Sequence, residues 1–153
     1  MKIKPCTVLD VAELAEAVEK TTLIDAIPYV SQDIKLNKWF YRRGVALQFQ
    51  ILGDHKCAIH LFGTPQDSLR ELRDWVIGCG SWMFDNTEIS CLLVFCREND
   101  LHLRFLIRAT GAERCCRLID ADGYDGDELL FVYSKSYREL YEGKVKCHKQ
   151  YQQ

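Results

Sequence analysis

Proline is scarce, with three residues in 153, and no Ser/Gly-rich or single-sign charge block interrupts the chain. Linkers and disordered tails usually declare themselves by such composition, so one continuous folded unit is expected. Charge imbalance is missing too: 20 basic against 22 acidic residues leave a net charge of -2. Nucleic-acid partners call for a basic face, and none is signalled. Apolar runs such as Cys91–Cys96 fall far short of the roughly 20 residues that span a bilayer, so no membrane partner is expected. The opening MKIKPCTVLD holds no signal-peptide core, which makes a cytoplasmic location the expectation. Paired metal-ligand spacings are also lacking. Cys57-x-x-His60, Cys115-Cys116 and Cys147-His148 are candidate ligands, but no second C-x-x-C or H-x-x-x-H completes a zinc set, and no metal is expected.

Cysteine, by contrast, is plentiful: eight residues, at 6, 57, 79, 91, 96, 115, 116 and 147. Cys57, Cys91 and Cys96 fall inside strand-like runs rather than loops. They are expected to be reduced, mostly buried small hydrophobes, not a disulfide scaffold. At 48% hydrophobic the chain has enough apolar surface for one core. The domain is placed over 1–142, with a polar tail over 143–153.

Residues 2–5 read as a short first strand stopped by Pro5. Thr7 with Asp10 three residues on marks a helix start, and Val8, Val11, Leu14, Ala15 and Val18 recur at helical spacing as far as Lys20–Thr22. Leu23–Tyr29 is apolar and broken by Pro28, and a short second helix is expected over Ile34–Tyr41. From Gly44 to Phe62 the runs VALQFQIL and KCAIHLFG flank Gly53-Asp54 and read as a hairpin. Thr64-Pro65-Gln66-Asp67 predicts a helix start, with Thr as cap, Pro at the first helical position and an acid in the first turn. Leu69, Leu72, Trp75 and Val76 share one face of that helix. Gly78 and Gly80 cost about 1 kcal/mol each against alanine, so a break or kink is expected there.

Ser90–Cys96 is almost continuously apolar, as in a strand buried on both faces beside a parallel neighbour. A polar break at Arg97–Asp100 follows, then a helix over Leu101–Ala109 capped by Gly111. Strands over Arg114–Asp120 and Glu128–Ser134 flank the turn ADGYDGD, which has Asp125 where a calcium loop needs its glycine and no glutamate at the twelfth position. The order describes a mixed α/β (α+β) domain on one central sheet. Trp39-Phe40-Tyr41 reads as core or edge packing. His60, between Ile59 and Leu61, reads as a hydrogen-bonded sheet residue, and His102 as a surface or capping residue.

An Asn between a central strand and a Gly-ended helix resembles the GCN5-related N-acetyltransferase (GNAT) superfamily. The N-terminal KIKPCTVLDVAELAEAV looks like that family's first strand and helix, and Asn99-Asp-Leu-His-Leu-Arg104…Gly111-Ala resembles its N-x-x-A-x-x-x-Y-x-x-x-G-F segment. RLIDADGYDGDELLFVYSKSYREL is similar to its last hairpin. The wording N…H-[IL]-R-F-L…G-A is shared with GNAT-like internal virion proteins of short-tailed bacteriophages. The resemblance implies a mixed central sheet split between its central strands beyond Cys96, with helices on both faces.

It also implies acetyl-CoA as cofactor, with its pyrophosphate on a loop matching Phe62–Ser68, where Gly63, Thr64, Gln66, Ser68 and Arg70 are the candidate contacts. Phe95, Cys96 and backbone near Asn99 would hold the pantetheine. Pro65 removes a donor from that loop, and Asp67 sets a negative charge where phosphates would lie. The family's proton-donating Tyr is matched by Leu106 or Ile107, leaving Tyr124 and Tyr133 as substitutes and Glu98 or Asp54 as candidate bases. Two functions follow: a phage-encoded acetyltransferase-like protein with weak or absent N-acetyl transfer, or a non-catalytic protein on the same fold that binds a virion component or host factor.

Overall fold

Thr7 and Asp10 close the predicted cap: the Thr7 amide donates to Asp10 Oδ2 at 2.7 Å, and Thr7 Oγ1 accepts from the Leu9 amide at 3.3 Å. In the computed structural model, which describes residues 2–22, 25–119, 127–136 and 138, this cap opens a 3-10 turn over Val8–Asp10. That turn leads into α1 (Val11–Thr21). Residues 2–5 form no strand, contrary to expectation. Pro5 has no amide for a sheet ladder, and the chain meets the sheet through the Cys6 amide, which donates to the Trp39 carbonyl at 2.7 Å.

The second helix also differs. It is α2 (Ala26–Asp33), and Lys38–Arg42 of the expected helix is instead strand β1. Pro28 lies in the first turn of α2, where an amide would have no intrahelical acceptor. The aromatic run follows a period of two: Trp39 packs with Leu14 and Val18 on one side of the sheet, Phe40 with Trp82 and Phe49 on the other. That alternation is the signature of a strand.

Strands β2 (Val45–Gly53) and β3 (Lys56–Gly63) form the predicted hairpin. Helix α3 (Leu69–Asn86) starts later than Thr64 because Ser68 is its cap, bonded reciprocally with Glu71 at 3.2 Å in each direction. It runs unbroken through Gly78 and Gly80. A Cβ at Gly80 would stand 3.1 Å from Leu92 Cδ1, and one at Gly78 would stand 3.1 Å from Ile3 Cδ1. Close packing, not bending, accounts for both glycines.

Strand β4 (Cys91–Arg97), helix α4 (Leu101–Ala109) and strands β5 (Glu113–Leu118) and β6 (Glu128–Ser134) complete a six-stranded sheet ordered β1-β2-β3-β4-β6-β5. Gly111 ends α4 at φ +84°. Leu92, Val94 and Cys96 turn toward α3 and α4, whereas α1 and α2 cover Trp39, Ala46 and Phe62 on the opposite face. The fold is therefore a mixed sheet with helices on both faces, as expected.

Its central joint is short. β4 pairs with β6 along its whole length, but with β3 through Lys56↔Cys91, Cys57↔Leu92 and Ala58↔Leu93 alone. Beyond those pairs the two parallel strands part. The split opens after Leu93, earlier than the Cys96 suggested by the sequence.

Candidate functional site

The parting strands enclose a cavity of about 220 Å³. Ile59 and Leu61 of β3, Val94 of β4, Leu103 and Leu106 of α4 and Gly80 of α3 supply apolar wall. Residues from both faces of the sheet reach it. Ile59 and Leu61 pack on the α3 side, while Phe62 packs against the α1–α2 side, and His60 and Phe95 share that second side by strand alternation. Past Ala58 and Leu93 the facing backbone edges of β3 and β4 are no longer bonded to one another, so they suit an extended ligand carrying its own amides.

A second cavity of about 610 Å³ shares Leu61, Leu103 and Leu106 with the first and is lined by Gly63, Pro65 and Asp67 of the β3–α3 turn. Asp100, which caps α4, and His102 stand across it. Gly63 takes φ +91°, and a Cβ there would come within 2.1 Å of the Gly44 carbonyl oxygen. This position therefore requires glycine. Its amide is already engaged, donating to Thr21 Oγ1 at 2.6 Å.

The expected free charge at Asp67 is not found. Its side chain is 2% exposed and accepts from Arg42 Nε at 2.6 Å and Arg43 Nη1 at 3.2 Å. The Arg42 hydrogen bond, and the charges of both arginines, hold its carboxyl below the usual range against some burial. The turn that would cradle phosphates is instead satisfied within the chain: Gly63 by Thr21, Ser68 and Glu71 by each other, Asp67 by two arginines. The apolar cleft fits a pantetheine arm, but the turn fits a diphosphate poorly.

The remaining sequence candidates are scattered. Thr64 and Gln66 are exposed in the turn, with the Thr64 carbonyl and Gln66 amide close over Gly44. Arg70 is exposed in the first turn of α3. Phe95 lines the cleft. Cys96 turns away into the cluster formed with Ile107, Leu129 and Phe131, where burial pushes its thiol up to about 11. Asn99 is exposed in the β4–α4 turn and lines neither cavity.

Glu98 is bonded to Arg117 at 2.7 Å, and Asp54 lies exposed in the β2–β3 turn. Tyr133 lines the cleft with its ring stacked on Phe84, centroids 6.1 Å apart. Tyr124 lies outside the described residues. Leu106 forms buried apolar wall. Cys57 and His60 sit on opposite faces of β3, and burial pushes the Cys57 thiol up to about 12.

His60 is, as the sequence predicts, a hydrogen-bonded sheet residue, and it also borders the cleft. It is half-buried in the cleft wall, with Nε2 2.8 Å from Gln50 Oε1. Burial holds its pKa below the ordinary value of 6.5, against a smaller opposing pull from the Asp33 carboxylate. Strand alternation alone would have put it on the face opposite Ile59 and Leu61. That this face borders an opening follows from the β3–β4 register, which a single segment does not carry.

No protein-family model matches the sequence, and no curated protein is similar to it in sequence. Solved structures do match its shape. Mutant forms of the spermidine/spermine N-acetyltransferase SpeG from Vibrio cholerae superpose with a TM-score of 0.74 at 7% identity, over 92% of this chain and 97% of that one. A GNAT-family acetyltransferase from Bacillus anthracis gives 0.69 at 12% identity, over 88% and 94%. RimL, an α-N-protein acetyltransferase solved in complex with coenzyme A, gives 0.66 at 12% identity, over 86% and 92%. At these identities the likeness is one of fold: the six-stranded split sheet is that of the GNAT acetyltransferases.

Proposed function

We propose that the chain binds an acyl-CoA thioester in the β3–β4 cleft and passes its acyl group to an amine, slowly and with a weak hold on the diphosphate. One observation carries this reading: parallel pairing that stops at Ala58↔Leu93 and opens an apolar cavity whose walls are bare strand edges. A pantetheine arm would lie along those edges, beside Phe95. Gly63, Thr64, Gln66 and Arg70 would meet the diphosphate, and Tyr133, which lines the cleft, would return a proton to the departing sulfur. RimL, with the same fold, is known with coenzyme A. The weakness follows from a turn whose groups are engaged within the chain, Asp67 by Arg42 and Arg43 and Glu71 by Ser68, and from the lack of an amide at Pro65.

Calorimetry and thermal shift with acetyl-CoA and with acetyl-pantetheine test it. Both ligands should bind at millimolar concentration with affinities within about tenfold, since the diphosphate contributes little, and Gly63→Glu, which sets a carboxylate at the turn, should weaken acetyl-CoA more than acetyl-pantetheine. A flat response to both at millimolar concentration would sink the reading. The Arg42–Asp67–Arg43 closure and the apolar Leu106 favour a second one in that event: a non-catalytic protein on this fold that binds a virion component or host factor. Its setting in a short-tailed bacteriophage rests on the wording of Asn99–Ala112.

A further inference from the structure

The cleft has chemistry at the mouth that faces away from α3 and α4. β3 and β4 part while both are still extended, so neighbouring residues of each strand border the opening from opposite faces. Among the described residues lining this cavity, His60 is the one imidazole, and no carboxylate, lysine or arginine joins it. The reactive centre therefore has a single group able to accept a proton near neutrality.

We propose that His60 is the general base, taking a proton through Nδ1 from an amine that enters on the α1–α2 face. The proposal rests on the thioester reading of the cleft. Gln50 Oε1, 2.8 Å away, accepts from Nε2, which leaves the imidazole lone pair on Nδ1. His60 stands opposite Gln48 in the β2–β3 ladder. Gln48 is buried and donates to Tyr29 Oη at 2.9 Å and to Asp33 Oδ2 at 2.7 Å. Asp33 also accepts from Trp39 Nε1 at 2.7 Å and from Asn37 Nδ2 at 2.9 Å, so the carboxylate is held in place.

The titratable groups around His60 are thus Asp33 and Tyr29 on α2 and, across the cavity, Tyr133 on β6. Asp33 stabilises the imidazolium once it forms and favours a cationic primary amine as the arriving species. In the step, His60 Nδ1 takes one proton from the ammonium group, which frees the nitrogen lone pair to bond to the thioester carbonyl carbon. The carbon–sulfur bond breaks as that nitrogen gives up a second proton, and the departing thiolate takes up that second proton. Nothing is oxidised or reduced.

The test separates this role from binding. In the free protein, imidazole nitrogen shifts should show His60 as the Nε2–H tautomer, titrating below 6.5. With acetyl-CoA as donor and spermidine or an alanyl peptide as probe amine, His60→Gln should lower kcat roughly a hundredfold. It should also erase the acid limb of the pH–rate profile, with acetyl-CoA affinity unchanged within about twofold. Added imidazole should restore part of the rate to His60→Ala. An unchanged kcat and acid limb in His60→Gln, or an Nδ1–H tautomer, overturns the assignment. So does acetyl-CoA binding without transfer to either amine, which leaves the binding reading standing. Failure to bind acetyl-CoA overturns the reading beneath it.

Discussion

Asp67 is a carboxylate lining the second cavity, and its two arginine partners come from the end of β1 and the β1–β2 turn. Removing the charge while keeping the shape should free Arg42 and Arg43 for an anion. Asp67→Asn is expected to tighten acetyl-CoA by about fivefold or more, since opposite charges ~4 Å apart are worth about 1 kcal/mol even in bulk water. Acetyl-pantetheine, which lacks the diphosphate, should be unaffected. Titration calorimetry of the pair decides it. Asp67 and His60 also share a sign in acid. Both have depressed folded-state pKa values, so the stability each contributes is complete above its unfolded value and is lost as pH falls. Urea midpoints should therefore drop from pH ~7 to ~5, below the ordinary histidine value of about 6.5, and His60→Gln should flatten that drop.

Within α3, two glycines two positions apart should respond to alanine in opposite directions. At Gly78 the obstacle is the tip of Ile3, on a half-buried coil segment that has room to shift. Helix propensity should prevail there, stabilising by up to about 1 kcal/mol. At Gly80 the obstacle is Leu92, fully packed in a central strand, and overpacking should cost about 1–3 kcal/mol. Ser68→Ala breaks the reciprocal cap at a cost of about 1 kcal/mol. Chemical denaturation of the three variants checks all of this.

The same helix marks the limit of what its sequence conveys. The amphipathic repeats of α1, α3 and α4 and the apolar run of β4 were legible because their signals are local. The continuity of α3 was not, because a contact with Leu92 outweighs the cost of glycine. The α2–β1 region departs from its local signal because Pro28, a breaker by composition, sits in the first turn of α2, where it costs no hydrogen bond. Near the cleft, the sequence marks Gly63, where a positive φ requires glycine, and Phe95, which lines the opening. Glu98, a candidate base by sequence, is engaged by Arg117, whose contact with it spans 19 residues of chain and is not legible locally. That His60 borders the cleft is not legible locally, because it depends on where two distant strands stop pairing.

Across the whole molecule, the cysteines divide by depth. The seven among the described residues carry no disulfide, and Cys115 and Cys116 are exposed on β5. Cys57 and Cys79 are buried, with burial pushing both thiols up, Cys57 to about 12. A thiol reagent should label Cys115 and Cys116 at once in the native protein and Cys57 and Cys79 after unfolding, with close to eight thiols titrated in denaturant without reductant. Mass-resolved labelling reads both counts, and a denatured count near zero would overturn the reduced state.

The same molecule consists of two three-stranded antiparallel sheets, β1–β2–β3 and β4–β6–β5, meeting at the three residue pairs that end with Ala58↔Leu93. Such a seam has little backbone holding it shut. The two halves should breathe about it, opening and narrowing the gap between them without either half unfolding. Amide hydrogens of Ile59 and Leu93 would then exchange with solvent sooner than those of Leu47 and Phe131, which lie deep within each half. A ligand lodged between the halves would close that difference by acting as the missing rungs of the ladder.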